Sequence, residues 1–196
     1  QNKFFDNPSA WIPRQLDRLL TDALNQDITF LISGSGFGKS VACFRKLTIH
    51  VESGGFGLVL SDKTCASSLT LEQAVMAELK QLHSSLAGEV TPASFCSPEQ
   101  PLLLVIEDIN QSGEPQALLK KLASWSQYSA KDKQRTIPYW RILCPLWPEI
   151  FASLPTPIRN IIQPQILTAD GFTEDEGREA VLVRSHLANH SLSPLE

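Results

Sequence analysis

The sequence predicts an α/β domain built on a parallel, doubly wound sheet, and three observations carry that prediction. Two short apolar runs, ITFLI at 28–32 and LLLVI at 102–106, have the length and composition of strands buried on both faces. Stretches with apolar residues three and four apart lie between such runs. Strands that alternate with helices need crossover connections, and those place the strands parallel with helices on both faces of the sheet.

The elements follow in order. Residues 14–24 set Leu16, Leu19, Leu20 and Leu24 on one helical face behind Pro13. The first strand is 28–32, and a helix from Gly38 to about Ile49 follows it. Gly54-Gly55 precedes a second strand at 56–61. Thr70 and Gln73 have capping-box spacing and open a helix that turns Val75, Leu79, Leu82 and Leu86 inward. After the 102–106 strand, a helix over about 114–127 presents Leu118, Leu122 and Trp125, and 139–144 is the fourth strand. Residues 145–160 read as a proline-rich irregular stretch. The run 161–167 reads as a strand, and Pro164, which has no N–H for a central ladder, puts it at the sheet edge. Thr173 and Glu176 form a second capping box, opening a helix to about His190.

The chemistry concentrates at the end of the first strand. Ser33-Gly34-Ser35-Gly36-Phe37-Gly38-Lys39-Ser40, continued by Val41, is a glycine-rich turn running into a helix. Small residues let successive N–H groups curl around an anion, and the helix adds the positive end of its dipole. Lys39 then reaches the β/γ-phosphates and the Ser40 hydroxyl holds Mg²⁺. This is a P-loop with one departure, because Ser33 stands where the pattern G-x-x-x-x-G-K-[ST] has its first glycine. The 102–106 strand ends in Glu107 and Asp108, the place where a Walker B strand delivers a Mg²⁺-directed acid. Two such motifs in this order predict a P-loop NTPase with Mg²⁺ in its site. ATP is the expected nucleotide, since an N-K-x-D-type guanine-reading tetrad is absent from the sequence, and GTP stays open.

Composition bounds the rest. At 42% hydrophobic and 19% charged residues, the 196-residue chain has ordinary globular character. A net charge of −4 argues against a general nucleic-acid surface, so no direct nucleic-acid contact is expected of this domain. Cys43, Cys65, Cys96 and Cys144 are scattered without a C-x-x-C pair and read as reduced thiols, which points to the cytoplasm. No apolar run reaches membrane-spanning length. The chain opens at Gln1 and ends within a helical pattern, so a piece of a larger protein is expected.

With those motifs placed, the chain resembles a STAND-class NTPase core, closest to the NACHT-like and Avs-type ATPases of bacterial antiviral defence proteins. The residues that carry the resemblance are IPRQLDRLL before the first strand, SGSGFGKSV at the P-loop, LLVIEDIN at Walker B and TEDE at the last capped helix. The resemblance implies a five-stranded parallel sheet in the order 5-1-4-3-2, flanked by helices. It also implies a lead-in over 1–25, an NTPase core over 26–170 and the start of a helical lid over 171–196. A nucleotide-gated switch follows, cycling between ATP and ADP and self-associating through the core. Sensor and effector domains would lie in other parts of the protein.

Residue by residue, the resemblance implies phosphate and Mg²⁺ roles for Lys39 and Ser40, the metal position for Glu107 and the water-polarising position for Asp108. Strand position alone leaves those last two roles interchangeable. Arg14 falls where relatives place an arginine near the nucleotide. Arg159, before the expected edge strand, falls where oligomeric relatives place an arginine facing a neighbour's γ-phosphate; the alternative is an exposed arginine that closes a loop. The fourth strand ends Cys144-Pro145 instead of in a polar residue, and Glu-Asp replaces the commoner acid pairs, so slow turnover is expected. Two other readings remain. One is a module that holds nucleotide without hydrolysis. The other is a small-molecule kinase, although Ile109-Asn110-Gln111-Ser112-Gly113 shows none of the arginines a kinase lid needs.

Overall fold

The computed structural model describes residues 11–83, 96–97, 99–131 and 140–187. Five strands, β1 (Ile28–Ile32), β2 (Gly57–Leu60), β3 (Leu102–Ile106), β4 (Trp140–Leu146) and β5 (Ile166–Thr168), form one sheet. Their order is β2-β3-β4-β1-β5 and every pairing is parallel. Read from the other edge, this is 5-1-4-3-2. β1 and β3 are buried along their whole length, as continuous apolar runs between two helical layers must be.

Side chains alternate along each strand, and the alternation builds two cores. Phe30, Leu104, Ile106, Ile142 and Cys144 face one layer. There they meet Ala74 and Val75 of α4 (Leu71–Leu82) and Leu118, Leu119 and Leu122 of α5 (Pro115–Lys131). Leu31, Leu103, Val105 and Leu143 face the other layer. Their partners are Leu16 and Leu20 of α1 (Gln15–Ala23) and Ala42 and Cys43 of α2 (Lys39–Glu52).

Four parts of the sequence reading need correction. β4 runs on through Pro145 and Leu146. The Ile142 N–H bonds the Asp27 carbonyl on the β1 side, so by alternation the nitrogen of Pro145 faces β3, beyond the last β3–β4 pair, Val105 with Leu143. The stretch 145–160 holds two short helices, α6 (Pro148–Ala152) and α7 (Thr156–Ile162), each with a proline in its first turn. α7 takes in Ile161 and Ile162, and a 3₁₀ turn over Gln163–Gln165 contains Pro164. β5 therefore starts only at Ile166, although it does lie at the sheet edge. Finally, Leu82 is 62% exposed, not inward, and Leu86 lies outside the described residues.

One further helix, besides α6 and α7, was not expected. In α3 (Asp62–Ser67), Ser61 caps the N-terminus by accepting the Thr64 N–H at 3.1 Å. α8 (Glu174–Leu187) opens with the expected box: Glu176 accepts the Thr173 N–H at 2.9 Å and Thr173 accepts the Glu176 N–H at 3.2 Å. No helix among the described residues is long and apolar enough to cross a membrane.

Candidate functional site

The end of β1 is held in the sheet by the Ser33 N–H, which donates to the Leu146 carbonyl at 3.3 Å. The chain then turns through Gly36 and Gly38, with φ of 81° and 78°. Both lie in the left-handed region that glycine enters without steric cost. Ser33 is not in that region, so its place in the pattern has no need of a glycine backbone. Its hydroxyl is nonetheless buried without a hydrogen-bond partner.

Lys39 opens α2 and is 6% exposed. Its ammonium donates to the carbonyls of Ser33 at 2.7 Å and Gly34 at 2.6 Å, using two of its three N–H groups. Burial lowers its pKa, while Glu149 in the first turn of α6 acts the other way. The Ala42 N–H bonds the Gly38 carbonyl, so the amides of residues 39–41 precede the first intrahelical bond of α2. They belong to the end of a helix that favours an anion. The Val41 side chain points outward, which leaves its backbone as the part suited to a phosphate.

The Ser40 hydroxyl stands beside the carboxylate of Glu107, just past the end of β3. Burial raises the pKa of Glu107, Asp108 raises it further and the neighbouring Ser40 hydroxyl opposes them. One carboxylate oxygen, Oε1, is buried with no hydrogen-bond partner. A hydroxyl beside an unpartnered carboxylate oxygen suits a hard cation. Among the described residues, no three His, Cys, Asp or Glu side chains gather into a cage for one. Mg²⁺ fits this arrangement, since it takes one or two protein oxygens and completes its shell with phosphates and water.

Asp108 is exposed and stands at φ 62°, the only non-glycine among the described residues with positive φ. Gln111 holds it there, its N–H on the Asp108 carbonyl at 2.8 Å and its side chain on Oδ1 at 3.3 Å. Asn110 accepts the Trp147 N–H at 2.8 Å and so ties this loop to the end of β4. β4 itself ends in Cys144, Pro145 and Leu146, all buried, with no polar side chain to meet a phosphate. An open cleft of about 550 Å³ runs from Glu107 and Asp108 across β2 to Phe44, Leu47 and Glu78.

Arg14 is 6% exposed and lies against the loop. Its guanidinium donates to the Phe37 carbonyl at 3.0 Å and the Asp170 carbonyl at 3.3 Å, and it stacks on the Phe172 ring at 4.2 Å. Arg159 lies in α7 and is used differently, donating through Nη2 to the Ala152 carbonyl at 3.2 Å and the Leu154 carbonyl at 3.0 Å. Ser33 to Val41, Glu107, Asp108 and Arg14 thus gather at the C-terminal end of the sheet, while the bonds of Arg159 close the corner between α6 and α7. Sequence reasoning missed Asn110, Glu149, Asp170 and Phe172. None carries a local signal, because each is brought to the loop only by the crossovers of the sheet.

No protein-family model matches this chain, and a sequence comparison with curated proteins finds no match. Solved structures do match. A DNA replication initiation factor superposes with a TM-score of 0.55 at 12% identity, covering 93% of this chain and 55% of that one. AMPPCP-bound DnaA from Aquifex aeolicus gives 0.53 at 12% identity, over 96% and 58% of the two chains. Cdc6p from Pyrobaculum aerophilum gives 0.55 at 15% identity, over 95% and 54%. The fold is that of a P-loop NTPase. The chain spans a little over half the length of these three structures. Within the P-loop NTPase fold, Ser33 to Ser40 form the turn after β1, and Glu107 with Asp108 form the exit of the strand beside β4.

Proposed function

We propose that this chain is the ATP-binding switch domain of a larger protein, with slow or assembly-dependent hydrolysis. The observation that carries the proposal is the buried Lys39 ammonium, bonded to the Ser33 and Gly34 carbonyls of a turn with two left-handed glycines, with the unpartnered Glu107 carboxylate oxygen at the exit of β3. The amides of residues 34–41 and the Lys39 ammonium bind the phosphates. Ser40 and Glu107 would hold Mg²⁺, which when bound would supply neutralisation of charge on the phosphate oxygens. Asp108 orients or deprotonates the attacking water. Phosphate release with and without an added acceptor tests this reading. Release that needs an acceptor favours a kinase, release into water favours the ATPase, and binding without release favours a nucleotide holder. The last has one observation behind it, the wholly apolar end of β4.

The likeness in fold to AMPPCP-bound DnaA suits a module that binds nucleotide. On the strength of the sequence resemblance we read the whole protein as a cytoplasmic STAND-type switch in antiviral defence. Its sensor and effector lie outside this chain, and residues 171–196 begin its lid. In that reading Arg159 is the residue donated across a subunit boundary. It would have to leave the Ala152 and Leu154 carbonyls to reach a neighbour. Arg159→Ala is expected to bind ATP normally as a monomer and to lose assembly-dependent hydrolysis in the full-length protein. An assembled variant with undiminished activity would retire this role.

A further inference from the structure

Arg14, Phe37 and the turn leading into α8 form one set of contacts. Phe37 stands between two left-handed glycines, so its carbonyl and ring are set by the same turn that presents the loop amides. The ring lies against its own loop at Gly34 and against Gly171, where a Cβ would meet it at 3.4 Å and 3.7 Å. Arg14 bridges the Phe37 carbonyl, at 3.0 Å, to the Asp170 carbonyl, at 3.3 Å. A Cβ on Gly38 would fall 2.9 Å from Nη1 of Arg14, so the guanidinium sits flush on the loop. Glu176 closes the set by accepting the Gln15 N–H at 2.7 Å and the Thr173 N–H at 2.9 Å, which joins the start of α1 to the start of α8. The Ala169 N–H, bonded to the Ile32 carbonyl at 3.0 Å, continues the β5 pairing one residue beyond the strand. From Asp170 on, these contacts hold the route to α8 against the core.

We propose that Arg14 and Phe37 are positioning residues that couple phosphate binding in the loop to the placement of α8. This rests on the reading above that the loop binds nucleotide. The Phe37 carbonyl and the Gly38 N–H belong to one planar peptide unit and point in opposite directions. With Arg14 holding the carbonyl, the N–H is turned toward the place of the phosphate and is polarised as a donor. The same geometry works in reverse. A phosphate that pulls on the Gly38 N–H strengthens the Phe37–Arg14 bond, and through Asp170, Phe172 and the Gly171 contact it tightens the turn before α8. Coupling between two sites is reciprocal, so loosening the turn weakens nucleotide binding by the same factor.

Hydrogen–deuterium exchange of the chain with and without ATP·Mg²⁺ tests this, each variant being saturated at a concentration set by calorimetry. In the unmodified chain the nucleotide is expected to slow exchange in both 34–41 and 170–176, the latter by about fivefold or more. Phe37→Ala removes a half-exposed ring and keeps the backbone, and it is expected to bring protection at 170–176 below about twofold. Arg14→Ala does the same, and Arg14→Lys restores only part, because an ammonium lacks the planar fork that spans two carbonyls. Protection confined to 34–41, or full protection of 170–176 in Phe37→Ala, overturns the coupling and leaves the nucleotide reading standing. No protection at 34–41 in the unmodified chain overturns both.

Discussion

The Ser40 hydroxyl, in the first turn of α2, stands beside the Glu107 carboxylate at the exit of β3. That juxtaposition brings together two sequence motifs separated by more than sixty residues, and it marks where a cation fits. Glu107→Gln keeps the shape and removes the charge, so it is expected to lose the Mg²⁺-dependent part of nucleotide binding. Calorimetry with and without Mg²⁺ checks this; a variant whose affinity still responds fully to Mg²⁺ contradicts the role of Glu107.

Asp108→Asn should behave differently. Asparagine tolerates the left-handed backbone at φ 62°, so the loop keeps its course. ATP is expected to bind while phosphate release slows by about 10²-fold or more, the contribution of a positioned base. Equal loss of binding and turnover in the two variants contradicts this division of labour.

Ser33→Ala is expected to stabilise the chain. The serine hydroxyl is buried without a partner, and removing an unsatisfied buried group recovers about 1 kcal/mol. Gly36→Ala places a side chain in the left-handed region and is expected to cost about 1–2 kcal/mol. Urea unfolding of the two variants measures both, with opposite signs.

The thiols should separate by reactivity. Burial pushes Cys65 up to about 12 and drives Cys43 and Cys144 up as well, so their thiolates are scarce at neutral pH and sheltered. Cys96 is only half-buried. A thiol-reactive chromophore is expected to label Cys96 first under native conditions, and the other three together once the chain unfolds.

Glu176 supplies a dependence on pH. Its pKa is lowered, first by the Thr173 N–H bond and also by the Gln15 N–H and Arg14. A carboxylate with a depressed folded pKa stabilises the fold above its unfolded value, near 4.3, and that contribution fades as pH falls through the folded value. The group is partly exposed and screened, so Glu176→Ala is expected to lower Tm by only about 1–2 °C at pH 7. The difference should narrow in melts run at pH values below the unfolded one.

What the sequence shows is what local chemistry dictates. β1 and β3 were legible to the residue, because an uninterrupted apolar run between polar boundaries leaves one choice. The phosphate loop was legible because its glycines and its lysine are neighbours in sequence. The stretch 161–167 misled because Ile161, Ile162, Ile166 and Leu167 look alike whichever element holds them. In the fold Ile158 and Ile162, four apart, turn α7 toward the core, and only Ile166 to Thr168 join the sheet. The Arg14–Phe172 stack joins residues that the entire sheet separates in sequence, and no pattern of either segment announces it.

The central claim is that the turn from Ser33 to Ser40 binds nucleotide phosphate. Isothermal titration of ATP·Mg²⁺ into the chain and into Lys39→Ala tests it most directly. The ammonium of Lys39 bonds the Ser33 and Gly34 carbonyls and holds one donor for a phosphate, so the variant is expected to fold and to bind about 10²-fold more weakly. A folded Lys39→Ala chain that binds ATP·Mg²⁺ within about twofold of the unmodified affinity would contradict the claim.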